Sequence, residues 1–188
     1  MDPNKFLFQK IHLSNFKEIC EELRSHVLTH LPPNKNNFNH MDSIKLLKDC
    51  PLIKNWIIKN SLMLRKIAVI ILEPNSTGSV HTDTQGNFLA LNFPILNCEN
   101  TYTGLYKIIK GNPKIIAMSN GLTYNTFDEC EFEEIARYNI VESAILFNTK
   151  VPHRVNNPTD TKRVAVSFRF NPDPWNLVAP ISQNENIF

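Results

Sequence analysis

Arg163-Val164-Ala165-Val166-Ser167-Phe168-Arg169-Phe170 is the clearest two-residue alternation in the chain. Successive side chains on a strand project to opposite faces. Val164, Val166, Phe168 and Phe170 therefore form one apolar face, and Arg163, Ala165, Ser167 and Arg169 form another that mixes charge, a hydroxyl and a small residue. Such a strand either lies beneath helices and lines a polar cavity with its second face, or runs along a sheet edge with that face in water.

Strands extend upstream from it. Residues 66–72 are a short β-branched run closed by the turn signal Pro74-Asn75-Ser76-Thr77-Gly78. Further strands are predicted over 79–82, 87–94, 103–109, 114–118, 123–127, 144–148 and 153–156. Many short strands separated by Asn, Gly and Pro argue for a sandwich or jelly roll rather than alternating α/β units. The first third reads differently. Asn15 followed by Glu18 has the form of a capping box, and Phe16, Ile19, Cys20, Leu23, Val27 and Leu28 recur at helical spacing up to Pro32-Pro33. An Asn-rich loop is expected over 34–40. Asp42 then caps a short helix stopped at Pro51, and a third helical segment covers 52–59. The expected organisation is a single domain: residues 1–65 as mostly helical support, 66–170 as the β core and 171–188 as a tail. A chain of 188 residues suffices for one well-buried core, whereas two halves would each be marginal.

The composition, 42% hydrophobic and 20% charged with a net charge of +2, excludes wholesale disorder. Basic residues are scattered, with only Lys107, Lys110 and Lys114 close together, so nucleic acid is not an expected partner. Four widely spaced cysteines without a C-x-x-C pair suit a reducing compartment. The first residues lack a basic region followed by an apolar core, and runs such as 67–72 are too short to span a bilayer. A soluble cytoplasmic protein is the expectation.

The chemistry-bearing residues lie in two remote pieces of the chain. In Gly78-Ser79-Val80-His81-Thr82-Asp83, His81 and Asp83 are two apart and project to the same side of a strand. In Val151-Pro152-His153-Arg154-Val155-Asn156, His153 offers a second imidazole. Two histidines and one carboxylate on one face form the set that holds non-haem Fe(II) and leaves positions open for substrate and oxygen. An isolated histidine is more often bonded to backbone in the core or at the surface, and His153 admits that reading too. Arg163 presents paired donors that match a carboxylate. Its alternatives are a dicarboxylate ligand or a surface ion pair with Asp160.

The order H-x-D, a histidine seventy residues on and an arginine ten residues further resembles the 2-oxoglutarate and Fe(II)-dependent dioxygenases. The likeness extends to Leu91-Asn92-Phe93-Pro94-Ile95 and to Ala144-Ile145-Leu146-Phe147-Asn148 running into Val151-Pro152-His153, and it covers residues 66–170. It implies a double-stranded β-helix, the jelly roll shared with cupins, with N-terminal helices packed outside. It implies His81, Asp83 and His153 as iron ligands and Arg163 as the partner of the distal carboxylate of 2-oxoglutarate. The Arg-x-Ser pattern of some members is altered here to Arg163-x-Ala165, with a hydroxyl returning at Ser167. Asn92 and Tyr106 are placed on strands bordering the cavity as further co-substrate partners. The implied activity is hydroxylation by molecular oxygen of an amino-acid side chain, peptide or small metabolite, with release of succinate and carbon dioxide. Asp83 favours hydroxylation because halogenating members carry a small residue there. Two rivals are nucleobase oxidation or demethylation, with Trp175 and Tyr124 as stacking aromatics, and a cupin-like binding protein without catalysis.

Overall fold

The computed structural model describes residues 5–31, 38–84, 86–117 and 123–178. In chain order it contains β1 (Phe8–Ile11), α1 (Phe16–His30), β2 (Phe38–Met41), α2 (Ser43–Asp49), α3 (Pro51–Lys59), β3 (Leu64–Leu72), β4 (Ser76–Thr77) and β5 (His81–Asp83). There follow β6 (Leu89–Leu96), β7 (Tyr102–Lys110), β8 (Lys114–Ala117), β9 (Thr123–Thr126), β10 (Glu131–Tyr138), β11 (Ala144–Asn148), β12 (His153–Asn157) and β13 (Arg163–Phe170). One sheet has the order β1-β11-β6-β13-β3-β2, and the other β10-β7-β12-β5-β9-β8 with β4 on β12. Neighbours such as β13 and β6 or β12 and β5 are remote in sequence and pair antiparallel. These crossovers make a jelly roll, the double-stranded β-helix that the strand pattern anticipates.

β13 lies in the middle of its sheet, between β6 and β3, so it is not an edge strand. Its apolar face joins Ile67, Val69 and Ile71 of β3, Leu91 and Phe93 of β6, and Ile19, Leu23 and Val27 of α1 in one core. The helices thus cover the outer face of this sheet, and the other face of β13 turns toward the space between the sheets. Register places Ser167 between Asn92 and Ala68, and Arg169 opposite Lys66.

Local chemistry explains the helices, with one difference from expectation. Asp42 caps α2, its Oδ1 accepting from the backbone N–H of Ile44 at 2.8 Å and of Lys45 at 3.1 Å, an arrangement worth about 1 kcal/mol. Asn15 occupies the N-cap of α1 but its side chain makes no capping hydrogen bond, so the predicted capping box does not form. Pro51 ends one helix and begins the next, at a first-turn position where its missing N–H is harmless.

Four strands fall where none was expected, among them the two-residue β4 inside the predicted turn 74–78. Phe38–Met41 forms β2 rather than the end of a loop, because Phe38 finds Ile70 across the ladder and pairing overrides a polar composition. Residues 32–37, which hold the rest of that predicted loop, lie outside the described residues. β1 is four residues long, and β10 is Glu-rich, with Glu134 on its more buried face and Ile135 on its exposed one, so no apolar alternation reveals it. In the tail, Asp173 accepts from the N–H groups of Phe88 at 2.8 Å and Leu89 at 3.0 Å, tying residues 171–178 to the start of β6. Residues 179–188 lie outside the described residues. All four cysteines are free thiols, and among the described residues no helix is long and apolar enough to cross a membrane.

Phe168 is fully buried where β13 meets the helices, so Phe168→Ala should lower unfolding stability by about 3–5 kcal/mol in urea titration. Ile115→Ala, at a position 72% exposed, should stay within about 0.5 kcal/mol of the parent. Equal effects would contradict the assignment of the core.

Candidate active site

β5 is only three residues long, and its alternation sends His81 and Asp83 to one face. Thr82 turns the other way, where its Oγ1 accepts from Asn125 Nδ2 at 3.2 Å. Directly across the ladder from His81 stands His153, with the two imidazole centroids 4.3 Å apart. His81 Nε2 is 3.7 Å from Asp83 Oδ1, and one ligand atom from each of the three residues lies within 4.8 Å of the others.

The same local device orients both imidazoles. His81 Nδ1 lies 2.9 Å from the Ser79 carbonyl and His153 Nδ1 lies 2.9 Å from the Val151 carbonyl. A carbonyl only accepts, so each Nδ1 carries the proton and each Nε2 keeps its lone pair. Metal-binding histidines are held this way, with the distal nitrogen tied and the other free. Asp83 is fixed from a third side, with Arg169 Nη2 donating to its Oδ2 and Lys150 Nζ donating to its backbone carbonyl at 2.8 Å. Burial pushes the Asp83 carboxyl up, but Arg169, His153 and His81 together outweigh it and hold the group below the usual carboxylate range. Burial and the neighbouring His81 push His153 down to about 3, against the opposing pull of Asp83.

These residues open on a cavity of about 340 Å³, within the size range of small-molecule sites. Asn92, Thr103, Tyr138, Phe147 and Ser167 line it together with the three ligand candidates. Phe147 packs edge-on to His153 at 5.0 Å and Tyr124 edge-on to His81 at 5.6 Å. The polar wall is under-satisfied. Asn92 Oδ1 and Tyr138 Oη are buried without a hydrogen bond, and so is Arg163 Nη1.

Arg163 is 3% exposed and donates through Nε to Thr101 Oγ1 at 3.1 Å. No carboxylate among the described residues forms an ion pair with it, Asp160 included. It does not line the cavity itself but lies within electrostatic reach of Tyr138, which does, and of Cys98. Burial lowers its pKa, with those two groups pulling the other way. A buried guanidinium with one arm unmatched is a costly arrangement unless an anion completes it. The polar atoms present therefore fit a divalent metal at His81, Asp83 and His153 and a carboxylate near Arg163.

Ser167 and Asn92 reach the cavity as expected, paired across β13 and β6. Tyr106 does not. Thr103 faces the cavity from β7, and alternation turns Tyr106 to the opposite side. There its ring lies over Gly104, its hydroxyl donates to Glu134 at 3.2 Å and it accepts from Arg154 Nε at 2.9 Å. Trp175 packs on Phe6 in the core, away from the cavity, while Tyr124 lines it. Sequence reasoning missed Arg169, Tyr138 and Lys66 as site residues. For Arg169 the signal was available, since it shares the polar face of its strand with Ser167. A second group of possible ligands, His26, His30 and Asp49, lies where α1 meets α2, with His26 buried. There His26 Nδ1 is bonded to Asp49 Oδ2 at 3.0 Å and His30 Nδ1 to the His26 carbonyl at 2.8 Å.

No family model matches the sequence, and a search of curated proteins finds no match. Solved structures do match. The epimerase SnoN, in complex with Fe3+, alpha ketoglutarate and nogalamycin RO, superposes with a TM-score of 0.57 at 12% identity, over 88% of this chain and 78% of SnoN. The non-heme alpha ketoglutarate dependent carbocyclase SnoK gives a TM-score of 0.50 at 6% identity, over 89% of this chain and 80% of SnoK. At these identities the likeness establishes the fold, a double-stranded β-helix with flanking helices.

In the metal-free protein, His153 should remain neutral at pH 5 in imidazole nitrogen NMR, whereas a titration between pH 6 and 7 would contradict its burial. Its folded pKa is depressed from 6.5 to about 3. The unfolded chain then binds the proton that the folded chain refuses, and stability should fall as pH drops below 6.5.

Proposed function

We propose that the protein is a 2-oxoglutarate- and Fe(II)-dependent oxygenase that hydroxylates an amino-acid side chain, peptide or small metabolite. The observation that carries this reading is the pairing of two kinds of incompleteness, one in the cavity and one buried behind its wall. His81, His153 and Asp83 converge with both imidazole Nε2 lone pairs unused, and beyond them a buried guanidinium lacks an anion.

His81 Nε2, His153 Nε2 and Asp83 Oδ1 would hold the iron. When bound, iron supplies oxygen activation, in which 2-oxoglutarate is oxidised to succinate and carbon dioxide while one oxygen atom enters a C–H bond of the substrate. The chain's own contribution is position. The Ser79 and Val151 carbonyls fix the imidazole tautomers. Arg169 occupies Asp83 Oδ2 and leaves Oδ1 toward His81. Arg163, assisted by Tyr138 and Asn92, binds the distal carboxylate of the co-substrate, where low dielectric strengthens a charge-assisted bond. Phe147 and Tyr124 wall the histidines. The carboxylate of Asp83 occupies a position that a halide would need, which favours hydroxyl transfer among the outcomes open to this scaffold.

With Fe(II), 2-oxoglutarate and oxygen, the wild type should form succinate even without a second substrate, and His81→Ala or Asp83→Ala should abolish both iron binding and succinate. If both survive in both variants, the proposal is wrong; tight metal binding with no succinate from the wild type would favour the binding-protein rival. Arg163→Met should raise the KM for 2-oxoglutarate by about 10- to 100-fold, the value of a hydrogen bond to a charged group. Arg169→Gln should weaken Co(II) binding by about 10- to 100-fold, as loss of an orienting partner does elsewhere. An unchanged Co(II) titration would show that Asp83 is fixed by other contacts.

A further inference from the structure

The polar face of β13 and the facing rungs of β3 run from Arg163, buried behind the cavity wall, to a charged end of the cavity at Lys66 and Arg169. On β3, Ile67, Val69 and Ile71 enter the core, while Lys66, Ala68, Ile70 and Leu72 line the cavity. The register runs Leu72 opposite Arg163, Ile70 opposite Ala165, Ala68 opposite Ser167 and Lys66 opposite Arg169. At 3.3–3.4 Å per residue, the six steps from Arg163 to Arg169 span about 20 Å. A five-carbon diacid held near Arg163 therefore cannot also reach Lys66.

The far end is rich in cations. Arg65, Lys66 and Arg169 line the cavity there, whereas Asp83 supplies the one carboxylate among the lining residues. Arg169 is committed to Asp83. Arg65 is exposed, and its Nη1 donates to the neutral amide of Asn87, another lining residue, at 3.0 Å. Burial, Arg169 and Arg65 all press the Lys66 pKa down, with only Asp83 opposing them. Like charges gathered at a cavity mouth repel one another and focus an anion there. Beside them the wall is apolar, with Phe38 set across from Ile70, and Ala68 next along β3.

We propose that the substrate to be oxidised is a small amphipathic acid, whose carboxylate or phosphate is bound by Arg65 and Lys66 while its apolar body lies along Phe38, Ala68 and Ile70. This inference rests on the oxygenase reading and assigns the end of the cavity that the co-substrate leaves open. The neutral Asn87, bonded to Arg65, and Tyr124, opposite Asp83 across the ladder, line this end without adding an acid that would repel such a ligand.

The test is calorimetry on the anaerobic protein with Fe(II) and saturating 2-oxoglutarate, so that Arg163 is already engaged. The probes are octanoate, octyl phosphate, octanamide and octylamine. Octanoate or octyl phosphate should bind at least about 10-fold more tightly than octanamide, and the tighter of the two identifies the acid group. Octylamine should bind most weakly. The advantage of the anion should shrink in 0.5 M salt, vanish in the Arg65→Gln, Lys66→Met double variant and return with Lys66→Arg in place of Lys66→Met. Octanamide binding as well as the acids, or a double variant that keeps the wild-type preference, overturns the proposal. Succinate formation by the wild type is read separately. Its absence removes the oxygenase reading, whereas the anion preference is decided by the heats alone.

Discussion

One antiparallel rung, His81 facing His153, is the constraint on which the site depends. A three-residue strand has little ladder of its own, so its neighbours hold it. Val80 N–H is bonded to Asp128 Oδ1 at 3.0 Å, Asp83 N–H to the Thr149 carbonyl at 3.1 Å and Gly78 N–H to the Val155 carbonyl at 2.9 Å. With the backbone fixed at both ends, each imidazole needs one further bond, from Nδ1 to a carbonyl two residues upstream, to set its ring. The three donors thus converge through main-chain geometry rather than through a packed loop. That kind of support suits a site that must hold its shape before a metal arrives.

Charge is distributed along the cavity in a consistent order. Arg163 is buried behind the wall beyond one end, Asp83 and its partner Arg169 lie on the working face, and Arg65 with Lys66 stand at the mouth. Arg163 donates to the neutral hydroxyl of Thr101, and Cys98 and Tyr138 pull against its burial, but its Nη1 is left unmatched, a cost that an anion would relieve. The mouth is more solvated, and anion binding there is weaker and more sensitive to salt. The proposed co-substrate would answer the charge at the buried end, and the proposed acidic substrate the charge at the mouth.

Much of this was legible in the sequence because β13 alternates between a core face and a polar cavity face, and β11 is a continuous apolar run buried on both faces. β11 and β13 are found with the predicted bounds, and the H-x-D spacing alone placed His81 and Asp83 side by side. The partner strand of His81 was not legible, since pairing between residues 72 positions apart leaves no local trace. Tyr106 was misplaced because the face of β7 that turns inward is set by its pairing with β12 and β10, not by its own composition. β2 escaped notice for a related reason, its polar Asn39 and His40 being accepted by an edge position beside β3. Tyr138 was hidden because Glu134 shares its more buried face while Ile135 is exposed, so β10 carries no apolar alternation to read. The capping box at Asn15 failed because a favourable residue pair does not guarantee the side-chain rotamer that makes the bond.

The most direct measurement is an anaerobic crystal structure of the protein soaked with Mn(II) and 2-oxoglutarate. The account predicts the ion on His81 Nε2, Asp83 Oδ1 and His153 Nε2, with the distal carboxylate of the diacid in contact with Arg163. An ion bound instead at His26, His30 and Asp49, or a diacid seated at Lys66 with Arg163 still unmatched, would contradict it.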